Sequence, residues 1–268
     1  MNTWNCAASP VVEARPAATV IVLRPGAQGP EVLLLQRSQR SGFFPHAWVF
    51  PGGRVDSGDH AAPTRGAVDG LPAGAEAFAV AAVRECFEEA GVWLGDGVPP
   101  DGLRDRLNAR DATLADAPVL VADLDRLEQW AWWITPEVEP KRYDTRFFVT
   151  AVTQEEVAHA APDARETVDA RWLRPVDALA ARDVFLAPPT FRTLEELAAL
   201  AERSGGDLVE MQAAAAERPV VPIEPKLEKD EAGAITIILP GDPTHPSDAP
   251  APGPKRIVWR GTGWRSEG

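Results

Sequence analysis

Apolar residues along the chain fall in short runs separated by Pro- and Gly-rich punctuation, and the period of the runs changes with position. Residues 17–24 (AATVIVLR) and 31–36 (EVLLLQ) read as two short strands joined by a turn over PGAQGP. Residues 47–50 (AWVF) read as a third, following a loop over 38–46 and stopped by Pro51-Gly52-Gly53. Residues 1–16 form a loose lead, and 54–75 carry no period, which predicts an irregular excursion. From Glu76 to Ala90 the spacing becomes helical, with Ala79, Ala82, Val83, Cys86 and Ala90 inside one arc of about 100°. Gly91 stands where a left-handed residue ends a helix.

Downstream, 95–118 is turn-rich with one short helical stretch. Strands are predicted over 130–135, 146–152 and 167–173, the first two separated by PEVEPKRYD, and helices over 175–182 and 189–204. Beyond Glu217 the composition shifts to Pro and mixed charge, leaving 235–239 (ITIIL) and 256–260 (RIVWR) as isolated strands. Interspersed strands and helices predict an α/β or α+β architecture. The organisation expected is a domain over 17–216 with a C-terminal extension, 217–268, packed against it.

At 268 residues the chain is long enough to bury a substantial core. Its formal net charge of -13 disfavours a general nucleic-acid binder, because a phosphate backbone attracts clustered Lys and Arg. Two cysteines, Cys6 and Cys86, supply neither a disulfide framework nor a cysteine zinc site. The first twenty residues lack a basic start and apolar core, and no run approaches a membrane span of about 20 apolar residues. A cytoplasmic protein with no membrane partner is expected.

One segment carries chemistry. Glu85, Glu88 and Glu89 stand at i, i+3 and i+4, so their carboxylates share one helix face. Three like charges so close repel one another, and a bare helix surface gives them no compensation. A hard divalent cation does, since Mg²⁺ takes carboxylate and phosphate oxygens. Arg84 sits beside the trio and can orient one of its members. The bland alternative is a solvated acidic face with an ordinary Arg–Glu pair.

The wider pattern resembles the Nudix hydrolase signature, G-x5-E-x7-R-E-U-x-E-E-x-G-U with U a bulky apolar residue. Glu76, Arg84, Glu85, Glu88, Glu89, Gly91 and Val92 match its second half, with Cys86 in an apolar slot. Gly70 completes the signature literally, six residues before Glu76. The Phe50-Pro51-Gly52-Gly53 strand end is the preferred glycine, because Gly70 follows no strand. Twenty-two residues then separate Gly53 from Glu76 where the signature has five, a 17-residue insertion, and Asp59 could be a displaced copy of the acidic position. QRSQRSGFFPHAWVFPGG, WWITPEVEPKRYDTRFFV and PVVPIEPKLEKDEAGAITIILPGD are similar to the subgroup with an interrupted box. That subgroup includes the mammalian peroxisomal enzyme cleaving coenzyme A and acyl-CoA. The tripeptide Ser266-Glu267-Gly268 is not a peroxisomal address of the SKL type.

The resemblance implies a Nudix α/β/α sandwich with a mixed β-sheet, elaborated by the insertion and the extension. It also implies Mg²⁺- or Mn²⁺-dependent hydrolysis of a nucleoside diphosphate linked to another moiety, with coenzyme A or acyl-CoA the leading substrate. Glu88, Glu89 and the Gly52 carbonyl are expected to hold metal, Glu85 to be a ligand or base, and Arg84 an orienter. Glu76 is expected to be structural. Glu166, in ARETVDARWLRP, is the first choice for a late ligand or base, with Glu137, Glu139, Glu155 and Glu156 competing. Arg37, Arg40, Arg142 and Tyr143 are expected to contact substrate, the last two within a basic cluster that includes Lys141 and Arg146. The rivals are a nucleotide-sugar or dinucleotide pyrophosphatase, a ligand-sensing module without turnover, and a decapping enzyme. The expected partner is a small nucleotide-type molecule, with a homodimer left open as the assembly.

Overall fold

The apolar runs of the first two strands are buried on both faces, as expected where a sheet is covered from both sides. The computed structural model describes residues 12–40, 44–230, 234–247 and 250–268. Cys6, most of the N-terminal lead and residues 41–43 of the loop before the glycine pair lie outside the described residues. In chain order the strands are β1 (Arg15–Arg24), β2 (Glu31–Arg37), β3 (Trp48–Val49), β4 (Gly52–Arg54) and β5 (Thr64–Arg65). Helix α1 (Glu76–Ala90) is followed by β6 (Gly95–Asp96), α2 (Leu103–Asn108), β7 (Val121–Asp123), β8 (Glu128–Ile134), β9 (Tyr143–Ala151) and β10 (Thr167–Leu173). Then come α3 (Pro175–Ala180), α4 (Pro188–Arg203), α5 (Leu208–Ala216), β11 (Pro222–Ile223), β12 (Lys226–Lys229), β13 (Ile235–Ile238), β14 (Arg256–Trp259) and β15 (Trp264–Glu267).

The main sheet is mixed, in the order β10-β2-β1-β9-β8-β11, with β3 on β2 and β4 on β1. Strand β1 is shared: its end pairs with β2 at Leu23↔Val32, while its beginning pairs with β4 at Ala18↔Gly53 and Thr19↔Gly52. Successive residues of β1 therefore serve two cores. Ala18, Val20 and Val22 pack with α1 on one face. Ile21 and Leu23 pack with Phe147, Leu194 and Leu197 on the other. The C-terminal strands form an antiparallel meander, β12-β13-β14-β15. Its Ile237, Ile238 and Ile257 are buried, Ile237 and Ile257 in that second core.

Helix α1 runs over the residues its periodicity predicts, and Gly91 ends it at φ 71. Strand β9 starts three residues earlier than the sequence suggests, inside the charged PEVEPKRYD loop, because Arg15–Leu23 offers a nine-residue parallel partner beginning at Tyr143. The 54–75 excursion is largely irregular but not wholly so. It contains a 3₁₀ turn over Ser57–His60 and the short β5, which pairs with β7. Among the described residues, no helix is long and apolar enough to cross a membrane.

Candidate active site

The glycine pair and the carboxylate helix meet because β4 docks on β1 beside α1. The Gly52 amide donates to Glu89 Oε2 at 2.9 Å. A Cβ on Gly53 would stand 2.3 Å from Glu85 Oε1, so only glycine leaves that carboxylate where it is. The C-terminal carbonyls of α1, which lack partners within the helix, are taken up by neighbours. Arg104 Nε and Asn108 Nδ2 donate to the Glu88 carbonyl at 2.9 and 3.1 Å, and Thr167 Oγ1 donates to the Glu89 carbonyl at 3.3 Å. These bonds fix the last turn of α1 against α2 and the loop entering β10.

Arg84 is buried and every N–H of its guanidinium is used. Nε and Nη2 form a two-pronged pair with Asp59 at 2.7 and 3.0 Å, Nη1 donates to Glu85 at 2.9 Å and Glu88 at 3.1 Å, and Nη2 also donates to the Arg54 carbonyl at 2.8 Å. Asp59 stands six residues after Gly53 and is 3% exposed. Glu76, by contrast, is exposed at the first turn of α1 and takes no part in this network. The acid that holds Arg84 thus comes from the excursion, and the extra residues of the interrupted box fall between Asp59 and the helix.

Burial dominates the electrostatics of the trio. It pushes Glu85 up to about 7, with Arg84 pulling down and the charges of Glu88 and Glu166 pushing up. Glu89 is raised well above the usual carboxylate range by burial and then by Glu85, against the Gly52 amide and the charge of Arg37. Glu88 is raised chiefly by burial, partly offset by Arg84. For Arg84 burial alone would lower the pKa, but the bond to Asp59 and the charges of Glu85, Asp59 and Glu88 outweigh it and raise it.

A cavity of about 920 Å³ opens over Arg84, Glu85 and Glu88, while Glu89 is buried behind its lining against the Gly52 amide. Gly52, Gly53, Arg84, Glu85, Glu88, Arg37 and Tyr143 line it, together with two of the candidate loop glutamates, Glu166 and Glu139. Two expectations are corrected. Arg40 is exposed and lies off the cavity lining. Arg142 is buried as a tether: Nε donates to the Thr135 carbonyl, Nη1 to the Val12 carbonyl, and Nη2 pairs with Glu224. The expected basic cluster is dispersed, since Arg146 lies over the Trp132 ring, 3.5 Å from its centroid, beside a second, smaller cavity. Sequence reasoning missed Arg54, Asn108, Arg110 and Thr113 on the polar wall and Leu227 and Ile237 on the apolar one. Only Arg54 carried a signal, its place directly after the glycine pair.

The donor set suits a hard divalent cation. Its atoms are carboxylate oxygens, and Arg84 cannot balance the charge of Asp59, Glu85, Glu88 and Glu89 together. As placed, Glu85 and Glu88 turn toward Arg84 and Glu89 toward the Gly52 amide. Among the described residues no three acidic, His or Cys side chains already converge on a single ion position.

Fold and site together define a Nudix-type hydrolase, and comparison with known proteins agrees. Residues 62–197 match the family described as the NUDT19 Nudix domain. A chicken (Gallus gallus) protein named acyl-coenzyme A diphosphatase NUDT19 is 29% identical, across 91% of this chain and 83% of its own length. The human protein of the same name is 31% identical, across 76% of this chain and 71% of its own. Among solved structures, a NUDIX hydrolase from Alicyclobacillus acidocaldarius superposes with a TM-score of 0.63 at 28% identity, across 75% of this chain and 96% of that one. The chain belongs to the NUDT19 Nudix domain family.

Proposed function

We propose that this chain hydrolyses the diphosphate of coenzyme A and acyl-CoA with Mg²⁺ or Mn²⁺. One observation carries the reading: a single cavity joins the buried carboxylate cluster to a wall built from Phe50, Trp133, Phe147 and Leu227. A diphosphate bearing a long, partly apolar arm matches both ends, and relatives across most of the chain are named for that activity.

Glu88 and Glu89 would hold the metal, with Glu85 and the Gly52 backbone beside them. When bound, the cation neutralises diphosphate charge and lowers the pKa of a coordinated water. Glu85 or Glu166 accepts the proton of the attacking water. Water oxygen forms a new bond to one phosphorus, the bridging P–O bond breaks, and two phosphate monoesters leave. Arg84, held by Asp59, keeps the Glu85 and Glu88 side chains on one side of the helix, close to where the metal would bind. Arg37, with Arg54 also on the lining, supplies positive charge for phosphate oxygens. Tyr143, on the lining of the same cavity, would contact the substrate.

Incubation with coenzyme A, acyl-CoA, ADP-ribose and nucleotide sugars, with product masses measured, tests the reading. Coenzyme A and its thioesters should yield 3',5'-ADP and the matching phosphopantetheine only when divalent metal is present. Glu89→Gln should abolish that release. Preferential cleavage of ADP-ribose or a nucleotide sugar would replace this substrate assignment, and binding without any product would make the chain a sensor.

A further inference from the structure

We infer that the hairpin β12–β13 is the specificity wall of this site, with Leu227 and Ile237 closing an apolar compartment that receives the acyl end of the substrate. The inference rests on the coenzyme A reading and deepens it.

The antiparallel register sets Leu227 opposite Ile237, and Ile237 opposite Ile257. Directly opposed residues project from the same face of a sheet. That face is turned toward the main domain, because Ile237 and Ile257 are buried in the core that also holds Trp133 and Phe147. Leu227 is only half-buried, and both it and Ile237 border the cavity. The charged neighbours of Leu227 alternate to the other side, where Lys226 Nζ and Glu228 Oε1 meet in an exposed pair at 2.8 Å. Among its described residues, strands β12 and β13 therefore present apolar side chains, Leu227 and Ile237, to the cavity.

The carboxylates Glu85, Glu88 and Glu166 and the cation Arg37 line the same space. Its volume of about 920 Å³ lies near the top of the usual range for ligand pockets, roughly 300–1,000 Å³, and exceeds the needs of a bare diphosphate. Burial of each methylene strengthens binding about fourfold, so a wall of this kind discriminates by chain length. The C-terminal extension is then part of the substrate site rather than an appendage to it.

Titration calorimetry of the full chain, with chelator present to prevent turnover, should compare coenzyme A with dodecanoyl-CoA. The wild type should bind the dodecanoyl thioester at least tenfold more tightly. Leu227→Trp fills the compartment and should bring that ratio close to one. Leu227→Ala, a milder change, should lower it at least threefold and serves if the tryptophan variant does not fold, as judged by circular dichroism. Equal binding of the two ligands by the wild type, or a ratio unmoved in a folded Leu227 variant, overturns the wall. Failure of the wild type to bind either ligand while it cleaves another diphosphate overturns the substrate reading, and this inference with it.

Discussion

Asp59 and Arg84, twenty-five residues apart, meet through two hydrogen bonds in a site where their side chains are 1% and 6% exposed. This contact couples the excursion after the glycine pair to the helix that carries Glu85, Glu88 and Glu89. It makes the interruption of the box a matter of chain path rather than of missing chemistry.

Asp59→Ala should therefore be severe. Breaking a buried ion pair typically costs about 3–5 kcal/mol, since the remaining charge stays buried, and here Arg84 also loses the partner that aims it. Urea unfolding should show a loss of this size, together with a fall in turnover. Glu76→Ala alters an exposed first-turn residue and should stay within about 0.5 kcal/mol of wild type. A severe loss from Glu76→Ala with little from Asp59→Ala would mean that Glu76, not Asp59, completes the box.

Gly53→Ala separates activity from stability. The added methyl group meets the far end of a flexible side chain, the Glu85 carboxylate, so the protein can relieve the clash by swinging it aside. The expected result is a melting temperature close to wild type and turnover reduced at least about tenfold, the scale on which misplaced catalytic groups act. A variant with full activity would show that Glu85 need not occupy its present position.

Divalent metal should stabilise the chain, because it compensates carboxylates whose pKa values are raised first by burial and then by neighbouring acids. At about a hundredfold excess over Kd the gain is roughly 2.7 kcal/mol, readable as a rise in melting temperature on adding Mg²⁺ to chelator-treated protein. Glu88→Gln should shrink that rise and increase the melting temperature of the metal-free form. A metal-dependent rise unchanged by the substitution would remove Glu88 from the ligand set.

The C-terminal meander has its own acid dependence. Two bonds from Arg256 and two from Thr244 hold the Asp242 carboxyl well below its ordinary value of 3.8, the Arg256 bonds first among the causes. A carboxyl more acidic in the folded chain than in the unfolded one stabilises fully above the unfolded value. That contribution is lost as pH falls through the folded value. Asp242→Asn should be less stable than wild type at neutral pH, and the gap should close in strong acid. A gap constant with pH would mean that the carboxylate charge contributes nothing there.

The carboxylate trio, its helix and the terminating Gly91 were legible because they depend on spacing within a few turns. Arg142 was misread for the complementary reason. Composition marks it as one more cation in KRY, whereas its three partners, at Val12, Thr135 and Glu224, are assembled only by folding. The same applies to Leu227, whose apolar character was visible but whose place on the lining of the cavity shared with Gly52 and Gly53 was not.

By itself, the sequence determined the elements with strong local periodicity, the family, and which side chains bear the charge, since these follow from residue type and short-range geometry. Tertiary structure decided which acid holds Arg84, which arginines reach the cavity, and that Leu227 and Ile237 of the C-terminal extension border it. Each of those depends on contacts between segments far apart in the chain, where burial and competition among partners select one pairing from many that composition allows.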